Sequence, residues 1–267
     1  MIMADTALPP STVEVPTEVT TGAQWRQARP ARLYAGVLDG ELTDAADETA
    51  RAYPIAVQLL GSIPVPDGRL VTCDPCITAA DEPALSREVP VGEHPVFVAL
   101  ASIAADHQRV IAAVVACGAG PITSWELGTT ARDKPILGGV GEYTGFGVDS
   151  GTACFLSPSA LPALIEVLCE DDGRQEDPIT GELHPGKYVL AAPRPGALAV
   201  AAFESGWGDG TYPTWFGLAA DHSPVVAMID LMLFADPFTS DLGGDEAAAE
   251  PQPTGERGFW KRLSGRR

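Results

Sequence analysis

His94-Pro-Val-Phe-Val-Ala-Leu-Ala-Ser-Ile103 and Arg109-Val-Ile-Ala-Ala-Val-Val-Ala-Cys117 are two apolar runs separated by the polar break Ala104-Ala-Asp-His-Gln108. Each run is apolar on both faces, so periodicity alone reads equally well as a buried strand or a buried helix. The break resolves the ambiguity, because Asp106-His-Gln108 is the length and chemistry of a hairpin turn. The same rhythm returns further on. Ala197–Glu204 precedes Tyr212–Leu218, then Ala-Ala-Asp221-His-Ser-Pro224, then Val225–Phe234. Arg69–Cys73 and Thr152–Leu156 read as two more strands. With 28 Gly and 24 Pro in 267 residues, turns are frequent and long helices are not expected.

One helix is clear after Pro158, where Leu161, Leu164, Ile165 and Leu168 share a face, with Ser159 as its cap and Pro162 in its first turn. A second, weaker helical pattern covers Asp44–Arg51. The expectation is an α+β, predominantly antiparallel, sandwich-like fold with one or two short helices. The domain is expected over residues 23–239, between a disordered leader (1–22) and an acidic, proline-broken linker (240–255) that ends in a basic aromatic tail (256–267).

Charge narrows the partners. The net charge is −19, and the tail carries five basic residues against one acid, which leaves −23 on the other 255 residues. Such a body repels nucleic acid and anionic membrane and favours cations, basic proteins or neutral molecules. The five cysteines are an odd set in a chain large enough to fold without disulfides, and Cys117, Cys154 and Cys169 read as small core residues. No secretory signal and no membrane-length apolar run is seen, so a cytoplasmic location with reduced thiols is expected.

The segment Phe203-Glu-Ser-Gly-Trp-Gly-Asp-Gly-Thr-Tyr-Pro-Thr-Trp-Phe-Gly217 concentrates glycines, carboxylates and aromatics between two strands. It predicts a tight turn that holds Ser205 and Asp209 at the rim of a sheet. Candidate pocket residues are Asp149, Ser205, Trp207, Asp209, Tyr212 and Asp230. If Asp149, Asp209 and Asp230 converge, they form an acid–base pair or a divalent-cation site, the chemistry of a small hydrolase.

Other motifs carry less. Cys73-Asp-Pro-Cys76 lacks both a following helix and a second cysteine pair, so it reads as turn cysteines rather than a redox or zinc site. Ser205 lacks the frame of a nucleophile elbow, and His222 reads as part of an exposed turn. Glu170–Asp177 departs from the order of a calcium loop, and Gly139-Val-Gly141 with Gly145-Phe-Gly147 read as bends. No cofactor and no metal site is expected. In the tail, Phe259, Trp260 and Leu263 alternate with Lys261 and Arg262, the pattern of a short motif that docks on a partner or touches anionic lipid.

Val71-Thr-Cys-Asp-Pro75, Val89-Pro-Val-Gly92, Gly147-Val-Asp-Ser-Gly-Thr-Ala-Cys-Phe155 and Ser205-Gly-Trp-Gly-Asp-Gly-Thr-Tyr-Pro213 with Gly217 together resemble a bacterial family catalogued only as domain of unknown function 4241. The family pattern has an acidic residue soon after Cys-Phe, where this chain has Leu156-Ser157, and an Asp-Phe closing strand, where this chain has Asp230-Leu231. The resemblance implies one soluble, mostly β domain with no agreed reaction. It also implies that Asp74, Asp149, Ser205, Asp209 and Tyr212 belong to the shared pattern. The functional expectation is a non-enzymatic protein-interaction domain with an acidic surface, with the small hydrolase as the alternative.

Overall fold

The computed structural model describes residues 7–47, 49–136, 138–170, 187–193 and 195–239. The chain runs α1 (Gly22–Asp39), β1 (Glu41–Thr43), β2 (Ala52–Val65), β3 (Val71–Cys73), β4 (Gly92–Ala104), β5 (His107–Ala116), β6 (Ser124–Leu127) and β7 (Phe146–Val148). It continues through β8 (Thr152–Leu156), α2 (Leu161–Glu170), β9 (Tyr188–Ala191), β10 (Val200–Glu204), β11 (Gly210–Tyr212), β12 (Thr214–Leu218) and β13 (Pro224–Asp230).

Seven strands form one sheet in the order β1-β2-β4-β5-β13-β12-β6, four form a second in the order β3-β8-β10-β9, and β7 with β11 makes a short ribbon. Every pairing between these strands is antiparallel. The two sheets face each other. Val96, Val98, Val115 and Phe216 from the larger meet Phe155, Ala201 and Phe203 from the smaller in one core. Behind the larger sheet, Trp25, Leu33, Tyr34 and Val37 of α1 cover Trp125, Trp215 and Met228. Behind the smaller sheet, Leu161 and Leu164 of α2 cover Val71, Leu156 and Val200. The result is four layers, helix on sheet on sheet on helix.

This arrangement explains why β4 and β5 are apolar on both faces. Val98 and Val115 point into the sandwich while Ala99 and Val114 point towards α1, so no residue of the hairpin centre is left to be polar. The α2 helix follows the expected pattern, with the cap two residues earlier: Ser157 accepts from the Ser159 amide and opens a 3-10 turn (Pro158–Ala160).

Three expectations need correction. Part of the expected leader is tied to the domain: Leu8, Val13 and Val19 pack on the core under α1, the Ile122 amide donates to Pro10 O at 2.9 Å, Thr12 N donates to Ile122 O at 2.8 Å, and the Tyr34 hydroxyl donates to Pro9 O at 2.8 Å. The helix besides α2 is α1, not the weaker pattern at Asp44–Arg51, where the Asp44 and Asp47 side chains instead accept from the amides of Ala46 and Thr49 in turns. Thr21 and Gln24 close a reciprocal capping box on α1, and Gly40 ends it at a φ of 77°. Finally, β2 was not foreseen, because Pro54, Gly61 and Pro64 break its pattern. The acidic linker and the tail with Phe259, Trp260, Lys261, Arg262 and Leu263 lie outside the described residues, as does most of Glu170–Asp177.

Candidate functional site

The turn from β10 to β11 is a hydrogen-bonded lock. Ser205 Oγ donates to Gly208 O at 2.7 Å, and Gly208 N donates to Ser205 O at 2.8 Å. The Tyr212 hydroxyl reaches both of these carbonyls, Ser205 O at 2.9 Å and Gly208 O at 2.7 Å. Ser205 N donates to Gly151 O at 3.0 Å and so ties the turn to the loop before β8. Gly206 has a φ of 56°, and a Cβ there would come within 2.8 Å of the Leu231 carbonyl, so the position requires glycine. Burial, opposed by the Ser205 hydrogen bond, pushes the Tyr212 phenol up to about 12.

Ser205 is buried and its hydroxyl proton is committed to the backbone, so it works as a brace and not as a nucleophile. Trp207 does the reverse. It stands 59% exposed at the apex of this braced turn. Arg109 lies over the indole with its Cζ 5.4 Å from the ring centroid, and His107 meets the ring edge-on at 6.4 Å. Arg109 Nε donates to His107 Nε2 at 2.8 Å, and Glu204 accepts from Lys187 at 3.2 Å. Neither His107 nor Arg109 was visible as a site residue, because both belong to the hairpin turn and first pair of β5, remote in sequence from Trp207.

Asp149 and Asp209 are exposed on neighbouring turns, since Gly151 packs against Gly208. Beneath Asp149 sits Asp74, buried, whose carboxylate accepts from Cys76 N at 2.8 Å, Asp149 N at 3.0 Å, Ser150 N at 2.8 Å and Ser150 Oγ at 2.7 Å. All the strong acceptor directions of Asp74 are thereby used, and it clamps the loop after β3 to the turn before β8.

Asp230 does not join them. It is 0% exposed and faces α1, where Arg29 Nε and Nη2 grip its two oxygens at 2.8 and 3.0 Å. Arg29 also donates to Phe234 O at 2.7 Å and lies 3.6 Å from Asp236, which accepts from Trp25 Nε1 at 3.1 Å. Burial works against the guanidinium charge, but attraction and hydrogen bonding from Asp230, helped by Asp236, outweigh it and raise the pKa of Arg29. The void beside this pair is only about 10 Å³, room for about one water and no substrate.

A separate cleft of about 300 Å³ opens between the loop after β3 and residues 128–133, at the small end of ligand-pocket sizes. Thr72 and Thr214 meet on its lining with their hydroxyls 3.3 Å apart, beside Thr78, Glu82, Arg132 and Phe146. Burial raises the Glu82 carboxyl, against the pull of Arg132. None of the six candidate residues lines this cleft. Among the described residues, no group of three or more His, Cys, Asp or Glu side chains is placed to hold a metal ion. No helix among them is long and apolar enough to cross a membrane.

A family model described as a protein of unknown function, DUF4241, matches residues 63–229. The chain belongs to the DUF4241 family. Neither the curated proteins nor the solved structures hold a match to it. The matched region contains Asp74, the Asp149 turn and the whole Ser205–Tyr212 corner, and it stops one residue short of Asp230.

Proposed function

We propose that this domain is a non-enzymatic protein-binding module whose contact point is the Trp207 corner. The observation that carries the reading is an exposed tryptophan on a turn braced by its own hydrogen bonds, stacked with Arg109. Exposed Trp and Arg pairs are the side chains that dominate binding energy at protein interfaces. Because the turn is already locked by Ser205 and Tyr212, little ordering entropy is lost when a partner covers the indole. Burying about 100 Å² more of that ring would contribute about 2–3 kcal/mol. Asp149 and Asp209 on the surrounding rim favour a partner with basic groups near an apolar pocket. The hydrolase alternative draws no support from Asp230, whose oxygens are held by Arg29. A cytoplasmic setting fits the unpaired thiols of Cys73, Cys117 and Cys154.

The test is site-specific crosslinking in cells. With a photoreactive benzophenone residue in place of Asp209, the full-length protein is expected to capture a discrete partner, and adding Trp207→Ala should abolish that product without changing the unfolding midpoint. Crosslinking that is indifferent to Trp207→Ala would remove the corner as the contact.

A further inference from the structure

The sequence draws attention to Cys73 and Cys76, yet the sulfur placed opposite Cys73 belongs to Cys154. Cys73 and Cys154 are direct register partners in the antiparallel pair β3–β8, so their side chains project from the same face of the smaller sheet. Their Sγ atoms lie 3.5 Å apart. Directly paired antiparallel residues have Cα separations of about 4.5 or 5.5 Å, inside the range a disulfide spans, so closing the bond asks for side-chain rotation and little backbone movement. Cys76 instead follows the Asp74 clamp, whose carboxylate holds the Cys76 amide at 2.8 Å. Turning Cys76 back towards Cys73 works against that hydrogen bond and, with it, the four-bond knot that fixes the Asp149 turn.

We infer that Cys73 and Cys154 form a reversible redox-modification site that closes to a cross-strand disulfide, with a peroxide as the oxidant. The two sulfurs are not equivalent. Both are buried, Cys154 at 0% and Cys73 at 3%, but of the two only Cys73 is among the residues that line the 300 Å³ cleft, which assigns it the first step. Burial, helped by Cys73 itself, also holds the Cys154 thiol well above its ordinary pKa, so it stays protonated and is not the sulfur that meets peroxide first. The Cys73 thiolate attacks one oxygen of hydrogen peroxide, the O–O bond breaks, and the departing hydroxide takes the thiol proton to leave as water. Cys73 is then a sulfenic acid. Cys154 sulfur attacks it, its proton goes to the leaving hydroxide, and a second water departs as the S–S bond forms. Two thiols and one peroxide become one disulfide and two waters. A thiol reductant reverses the change. The bond would join residues 81 positions apart, a long loop closed at the strand that leads into the Asp74 clamp.

The experiment treats the full-length protein with hydrogen peroxide, alkylates the remaining thiols, and maps peptides without reduction. The expected result is a linked peptide pairing Cys73 with Cys154, a loss of two hydrogens from the intact mass, and a raised unfolding midpoint that dithiothreitol reverses. In Cys154→Ser the second step is removed, so dimedone should label Cys73 severalfold more than in the unaltered protein. A Cys73–Cys76 link would overturn the inference, as would a Cys73 sulfenic acid that persists with Cys154 present, or thiols that survive treatment intact. The mapping uses the unaltered chain, so it decides the matter even if the serine variant does not fold.

Discussion

Asp230 at the end of β13 and Asp209 in the turn before β11 are two aspartates that a reading of the chain treats alike, and the fold treats them as opposites. Asp230 is sealed beneath α1 with both oxygens on Arg29, while Asp209 faces solvent beside an indole that is itself uncovered. Around Asp230 the charged groups are matched within the chain, Arg29 to Asp230 and Asp236, and Asp236 to the Trp25 indole. Around Asp209 the backbone is matched to itself, and the side chains are left for something else. The contrast teaches that a well-bonded backbone makes a platform where its side chains face outward and a lock where they face inward.

The contrast breaks most sharply at the lock. Arg29→Ala leaves the Asp230 and Asp236 carboxylates buried without their cation, and a loss of about 3–5 kcal/mol is expected in urea unfolding. A loss below 1 kcal/mol would mean that the pair does not anchor α1. Asp74→Ala comes next, because two amides of the Asp149 turn, the Cys76 amide and the Ser150 hydroxyl lose one shared acceptor. About 3 kcal/mol is expected, together with faster hydrogen exchange at the Asp149 and Ser150 amides.

Tyr212→Phe probes the platform. Its one O–H proton is shared between two carbonyls, so its loss is expected to cost about 1–2 kcal/mol at neutral pH. The pH dependence has a definite sign. The folded phenol titrates near 12 against an unfolded value of about 10, so it holds its proton more tightly when folded. Its contribution is therefore complete below about pH 10 and is lost as pH rises towards 12. Stability curves recorded across that window should fall less steeply for Tyr212→Phe than for the unaltered protein. Trp207→Ala should be the smallest effect on folding, within about 0.5 kcal/mol, because the ring is mostly in solvent. A cost above 2 kcal/mol would make the indole part of the framework and not a contact surface.

How much of this was legible depends on distance along the chain. The β4–β5 hairpin was readable because both strands and their turn are contiguous, and α2 because its leucines repeat within ten residues. The Ser205–Tyr212 turn was readable for the same reason: glycines, hydroxyl and phenol all lie within eight residues. The role of Asp230 was not, since Arg29 lies 201 positions earlier and nothing local marks the pairing. Arg109 reaches Trp207 through sheet stacking that no spacing encodes. In α1, Pro30 and Arg29 disguise a helix whose cap, Thr21 with Gln24, was nonetheless written in the capping-box pattern. The β2 strand holds Pro64 near its end, beyond residues 52–54 that pair with β1, where only β4 is paired with it.

The cover that α1 provides bears on what can fold alone. The family match begins at residue 63 and ends at 229, so it omits the helix, the segment bonded to Ile122 and the acid that Arg29 grips. A fragment cut to those limits would present Trp125, Trp215 and Met228 to water across one whole sheet face. A fragment of residues 63–229 is therefore expected to unfold more readily than the full chain, because the wall over that face is supplied by α1 and the segment before it.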